Sequence, residues 1–289
     1  MSRAMAVLPA VVRSRVTRPP WRILAVLGGI ALLVTVLLGW WPGWSPSPVD
    51  AHAYWNVNAD APYGAARVGA RDGYFYSPAF AQLVQPLQAL PFDAFAAVWR
   101  SVSITALVVV GGGPMLAFPP VVEDVVRGNI HTLLAVCIVL GFRAPALWAV
   151  VLLTKVTPGI GLVWFAVRRE WGALWAALIA TLALVAVSML IGGPQLWLDW
   201  VAALTGNVDS LRSYAYLGIE VPPLAVRLPL AIIIVAWGGL TDRRWAVPVG
   251  ALLSLPVLWP SSFALLAAIP LLRGHGPERS ASGTASVAR

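Results

Sequence analysis

VDAHAYWNVNADAPYGAARVGARDGYFYSPAF, residues 49–80, is the first polar interval in a very apolar chain. It follows an apolar run, residues 23–41, of about 19 residues, enough to cross the ~30 Å hydrocarbon core of a bilayer as one helix. Asp50, Asp60 and Asp72 stand in the polar interval among tyrosines, asparagines and prolines. In a chain that spends most of its length in lipid, a water-facing loop this rich in hydrogen-bonding groups is where chemistry has room. The fold therefore turns on which face of the membrane the loop occupies.

The arginines answer that question. Residues 1–22 carry Arg3, Arg13, Arg15, Arg18 and Arg22, so the positive-inside rule puts the N-terminus in the cytoplasm. No small-residue cleavage site clearly ends the run 23–41, which reads as an uncleaved first helix. Trp40, Trp41 and Trp44 then fall at the outer aromatic belt, and Asp50 lies just beyond the outer face. Composition agrees with this placement. Of 289 residues 59% are hydrophobic and only 11% charged, with a mean hydropathy of +0.79, values that exclude an ordinary soluble domain. The net charge of +8 comes from arginines in short clusters between apolar runs, a pattern of topology rather than of nucleic-acid binding. Cys137 is a lone cysteine in an apolar segment and offers no disulfide framework.

Working outward, a second helix is expected over roughly 95–110, returning inward to Gly111-Gly112-Gly113. The next apolar runs, 115–126, 130–141, 145–156 and 159–167, are too short for ordinary spans. They form either two long helices or two hairpins of short, tilted or re-entrant helices. Arg143 and the Arg168-Arg169 pair both favour the inner face, and only hairpins satisfy both. A lysine at the centre of a lipid-exposed helix would also cost roughly 2.5–3.5 kcal/mol. The hairpin tips, Gly128-Asn129 and residues 155–158, then open toward the outer side. Residues 171–191 span outward, residues 192–223 form a second outer loop, and 224–240 return inward to Thr241-Asp242-Arg243-Arg244. A last short pair, 246–258 and 263–272, hinges at Trp259-Pro260-Ser261-Ser262, and the tail 274–289 is a disordered cytoplasmic segment. The expectation is an all-α polytopic membrane protein of the plasma membrane. It has about 10 transmembrane or re-entrant helices over 23–273, both termini cytoplasmic, and outer loops at about 42–94 and 192–223. No P-loop, Rossmann glycine pattern or zinc-ligand spacing is present.

The order Asp50, Tyr54, Pro62-Tyr63-Gly64, Phe75-Tyr76-Ser77-Pro78, Pro86, Pro91 and Trp99 opens a longer pattern. It continues with Gly128-Asn129, the Lys-x-x-Pro from Lys155 to Pro158, and Arg168-Arg169. Together these residues resemble glycosyltransferase family 87, integral-membrane enzymes of the GT-C superfamily typified by polyprenyl-phosphate-mannose-dependent α-1,2-mannosyltransferases. The resemblance implies a GT-C-type helix bundle whose first extracytoplasmic loop holds short amphipathic helices. It also implies transfer of a sugar, mannose in the typical member, from a polyprenyl-phosphate donor to an envelope glycolipid or polysaccharide acceptor.

On that resemblance Asp50 is the general base that takes the acceptor hydroxyl proton; read by position alone, it is a helix cap. His52 is placed to tune Asp50 or touch substrate, and Tyr54 and Tyr76 to line the sugar pocket. Asp60 and Asp72 are the rival bases, Asp72 reading as the partner of Arg71. Lys155, the one lysine of the chain, is expected to meet the donor phosphate or else to pair with Glu123 or Asp124. Asn129 is expected on sugar hydroxyls, and His131 as a packing histidine. Neither a metal nor another cofactor is expected. The competing readings are a lipid or solute transporter, for which no internal inverted repeat is found, and a degenerate family member acting as a scaffold.

Overall fold

The computed structural model describes residues 48–64, 66–70, 72–206 and 221–273, and among these every regular element is helical. The expected first helix at 23–41, the basic segment 1–22, Arg71, residues 207–220 of the second polar loop and the tail 274–289 lie outside the described residues.

The polar interval is a folded cap. Helix α1 is Val49–Trp55 and α2 is Pro78–Val84. Ser77 caps α2, its Oγ accepting from the Phe80 amide at 3.4 Å, with Pro78 at the first helical position where its missing N–H costs nothing. A 3-10 turn, Gln85–Ala89, then closes under α1. The Gln88 side-chain amide donates to Tyr54 O at 3.0 Å and Val57 O at 2.7 Å, satisfying carbonyls at and beyond the end of α1. Trp55 Nε1 in turn donates to Leu90 O at 2.9 Å, at the end of the 3-10 turn.

Helix α3, Phe92–Val109, begins directly after Pro91, three residues earlier than the sequence suggests. Of its buried residues, Phe95, Trp99, Ser103 and Leu107 recur every four residues, with Ala96 beside the first, while Val98, Val102 and Val109 face outward. The chain then breaks at Phe118. Pro119-Pro120 cannot sit in a helix interior, so the expected run from 115 splits into a 3-10 turn, Gly113–Ala117, and α4, Pro119–Arg127. Gly128, in the left-handed region at φ 68°, ends α4, and α5, His131–Gly141, leaves at an angle of 115° to it.

Helices α6, Trp148–Thr154, and α7, Leu162–Val167, double back on each other around Lys155 and the 3-10 turn Thr157–Gly161. Gly159 lies against Leu152, and Gly161 against the Trp148 ring, pairings that a continuous helix would hold far apart. Lys155 itself is extended (φ −140°, ψ 106°), so the chain leaves α-geometry two residues ahead of Thr157-Pro158, where the proline disfavours helix in the residue before it. Helix α8, Trp171–Gly192, is about 33 Å long and buries only Ala177 and Ser188. Its exposed Trp175, Ile179, Leu182, Leu190 and Ile191 form the face of a helix solvated by lipid.

Helix α9, Gln195–Gly206, occupies the first part of the expected second outer loop 192–223, and α10, Leu224–Leu240, follows that loop. Helix α10 packs closely on α11, Ala246–Ser254, because Gly250 admits Val235 and Gly238 admits Ala246. A 3-10 stretch, Pro260–Ala267, and α12, Ala268–Arg273, return the chain until Arg273 lies over the Trp245 ring. Arg227 ties the start of α10 to the end of α11. Its guanidinium donates to the carbonyls of Pro222, Leu253, Leu255 and Pro256 at 2.7–3.0 Å.

Two described helices, α3 and α8, are long and apolar enough to cross a membrane, or three spans if the bent pair α4 and α5 counts as one. The described chain is thus an all-helical apolar bundle with a folded polar cap.

Candidate active site

The cap meets the bent pair at one contact that only glycine permits. A β-carbon at Gly128 would lie 2.5 Å from the Ala51 methyl, and the residue is held at φ 68°. The tip therefore rests on α1, and Asn129 arrives beside Asp50. Asn129 Oδ1 accepts from the Ile130 amide at 2.7 Å and from the Tyr54 hydroxyl at 3.5 Å. Its NH₂ is left to donate to the Asp50 carboxylate, to which it is hydrogen-bonded. Gly128→Ala is expected to push this tip off α1 and lower the detergent-phase Tm, because the left-handed backbone alone costs roughly 1–2 kcal/mol. An unchanged Tm would contradict the importance of the contact.

Asp50 is the second residue of α1, and the helix is not capped by any side chain, so the capping role open to it in the sequence is not taken. It is half-buried. Burial pushes its pKa up from 3.8 to about 6, with the Lys155 ammonium opposing, the Asp124 carboxylate adding, and Arg127 and the Asn129 hydrogen bond opposing. A carboxyl held there is an anion at neutral pH yet basic enough to take a proton.

Two tyrosines complete one wall. The Tyr54 and Tyr76 hydroxyls share a hydrogen bond of 2.7 Å, with their rings edge to face at 5.1 Å. Phe80 and Trp99 pack on Tyr54 and fix its ring. Burial raises both phenol pKa values above their ordinary range, so both stay neutral donors. The Lys155 ammonium stands 5.2 Å from the Tyr76 ring centroid. Its backbone is brought in by Ser77 N donating to Leu153 O at 3.2 Å. Asp50, Tyr54, Tyr76, Asn129 and Lys155 thus converge from four separate segments.

His52 does not join them. Two residues along a helix is about 200° of rotation, so it leaves on the opposite face from Asp50. Its Nδ1 lies 2.6 Å from Asp72 Oδ1, and its ring packs on Phe92 at 5.0 Å. Asp72, at φ 63°, also accepts from Asn56 Nδ2 at 3.4 Å. The pair anchors the loop to α1, in place of a role for His52 beside Asp50. Asp60 is exposed.

Asp124 is the residue that sequence reasoning undervalued, having been considered only as a partner of Lys155. It is fully buried and binds the start of α5 instead. Oδ1 accepts from the His131 amide at 3.2 Å and Oδ2 from the Thr132 amide at 2.8 Å, while His131 Nδ1 lies 3.0 Å from Oδ1. With Nδ1–H donating to Asp124, His131 Nε2 is the acceptor facing Ser262 Oγ at 3.5 Å. Glu123 pairs with Arg127 at 3.0 Å. The signal in sequence was an aspartate four residues before the helix-ending glycine and seven before the histidine. Among the described residues, no three His, Cys, Asp or Glu side chains converge as metal ligands.

The sequence profile of glycosyltransferase family 87 matches residues 74–288. Tyr76, Asn129 and Lys155 fall inside the match, and Asp50 and Tyr54 precede it. No curated protein and no solved structure matches the chain. The profile covers well over half of the chain, and its apolar helices fit a membrane enzyme: this protein belongs to glycosyltransferase family 87.

Proposed function

We propose that the protein transfers a sugar, mannose by family analogy, from a polyprenyl-phosphate donor to an envelope glycolipid or polysaccharide. The reaction takes place on the extracytoplasmic face of the plasma membrane. The observation that carries the proposal is the meeting of one half-buried carboxylate, Asp50, with one ammonium, Lys155, beside an amide and two phenols. In this reading residues 23–273 form a GT-C-type bundle of about 10 membrane-spanning or re-entrant helices, with residues 1–22 and 274–289 cytoplasmic.

Asp50 takes the proton of the acceptor hydroxyl as its oxygen attacks the anomeric carbon. The new C–O bond forms on the face opposite the phosphate, with inversion, and the bond from the anomeric carbon to the phosphate oxygen breaks. Polyprenyl phosphate leaves with the bonding electrons, its added negative charge met by the Lys155 ammonium. Asn129 holds the Asp50 carboxylate in place and presents its amide to sugar hydroxyls, with Tyr54 and Tyr76 as the neutral wall of the pocket. Phosphate is a good enough leaving group that no general acid is required.

Purified protein incubated with radiolabelled polyprenyl-phosphate-mannose and a membrane lipid extract is expected to yield a new labelled glycolipid. A transporter would move label across a vesicle without a product, and a scaffold would do neither; either result would overturn the proposal. Because the acting form of Asp50 is the anion, kcat/KM should rise with pH through about 6 and level off above it. A flat profile between pH 5 and 7 would remove Asp50 from the base role.

A further inference from the structure

Helix α3 has a face that the described residues leave open. It packs on α1, α4 and α5 through the row Phe95, Trp99, Ser103 and Leu107. Ala97, Ser101 and Thr105 each stand two residues from that row, about 200° round the helix, and with Ala94 they are exposed. Together with Val98, Val102 and Ala106 they line a shallow groove of about 580 Å³. This face is unlike one made for lipid. Helix α8 presents Trp175, Ile179, Leu182 and Leu190 outward, whereas α3 presents two methyl groups and two hydroxyls. Small and hydroxyl-bearing residues at this spacing let a second helix approach closely, and close packing is what joins helices where lipid removes the hydrophobic drive.

The chain carries a matching element. The apolar run 23–41 lies outside the described residues; as a helix it would be about 28 Å long, against about 27 Å for α3. Its Gly28, Ala31, Thr35 and Gly39 are spaced three, four and four apart, as are Ala94, Ala97, Ser101 and Thr105. Set antiparallel, the two rows meet as Gly28 with Thr105, Ala31 with Ser101, Thr35 with Ala97 and Gly39 with Ala94, in register to within one residue. The connection keeps the run beside the cap. Residues 42–47 allow a reach of at most about 25 Å from Trp41 to Pro48. Pro48 opens α1, whose Tyr54 and Trp55 rings pack on Trp99 and Phe92 at 5.2 and 5.5 Å. The run therefore ends near the first turns of α3, where an antiparallel partner must begin.

We propose that the open face of α3 is the seat of residues 23–41, packed antiparallel along Ala94, Ala97, Ser101 and Thr105. Helix α1, which carries Asp50, is thereby tethered at both ends, at Trp55 by Phe92 and at Pro48 by the seated segment. The proposal rests on residues 23–41 crossing the membrane and is independent of the transfer chemistry. The competing occupant is a second copy of the chain, presenting the same face of its own α3.

The test is disulfide trapping of the full chain in membranes. Cys137→Ser removes the one cysteine, and a protease site is inserted between exposed Asp60 and Ala61. The pairs A31C/S101C and T35C/A97C exchange small residues for a small residue, and a disulfide requires Cα atoms within about 7 Å. After oxidation and cleavage, both pairs are expected to hold the two fragments together on a non-reducing gel. Trapping should exceed that of L33C/S101C at least ~5-fold, because Leu33 would lie about 200° round from Ala31. Reduction should release the fragments. A cross-linked band at twice the mass of the uncut chain would assign the face to a second copy and overturn the proposal. Equal trapping of the Leu33 pair would overturn it too, as would no trapping by either of the first two pairs. The gel reads packing without sugar transfer, so its outcome stands apart from that of the transfer assay.

Discussion

Asp50→Asn is expected to lower the rate of sugar transfer by roughly 10²–10⁴-fold, the usual contribution of a positioned general base, with little change in donor KM. The substitution keeps size and shape, and its amide still meets Asn129. Stability separates this from unfolding, and the sign can be derived. The folded-state pKa is raised from 3.8 to about 6. The stabilising contribution of the protonated carboxyl is therefore complete below about pH 3.8 and is lost as pH rises through about 6. At pH 7.5 the wild-type protein holds an anion where burial disfavours it, so the asparagine variant should melt at the same temperature or higher. A folded variant, its Tm unchanged or higher, that turns over at the wild-type rate would dismiss Asp50 as the base.

The second large effect belongs to Lys155. Lys155→Ala should raise donor KM and lower kcat/KM by roughly 10²–10³-fold, the cost typical of removing one preorganised electrostatic contact at a developing anion. Losing the ammonium also takes away the largest of the influences that lower the Asp50 pKa. The pH profile of the variant should therefore move to higher pH, a displacement that removal of a merely structural side chain elsewhere would not produce. An unchanged donor KM together with an unshifted profile would exclude the phosphate role.

The apolar, all-helical character of the described chain was legible in its composition, and the breaks in its helices in its prolines and glycines. Lys155 stood out because it was the only lysine, and Asp50 because it followed the first apolar run. What sequence could not supply was rotation and partnership. His52 is near Asp50 in number and far from it around the helix. Glu123 and Asp124 were both open to Lys155, yet Glu123 turns to Arg127 and Asp124 closes the start of α5. These choices depend on a 115° bend at a left-handed glycine, and no residue pattern states that angle. Arg227 is a further instance. A lone arginine in an apolar helix invites a search for a carboxylate partner, and in the fold it donates to four backbone carbonyls instead.

The contact between His131 and Ser262 has a bearing on biogenesis. It joins the middle of the chain to a residue synthesised 131 positions later. Asp50, Asn129 and Lys155 will all have left the ribosome well before Ser262 is made, so the pocket can be populated early but braced only at the end. A nascent chain arrested before residue 260 would carry every proposed reacting group and still lack the prop behind His131. On the proposed reading, a chain truncated before residue 260 is therefore expected to be inactive.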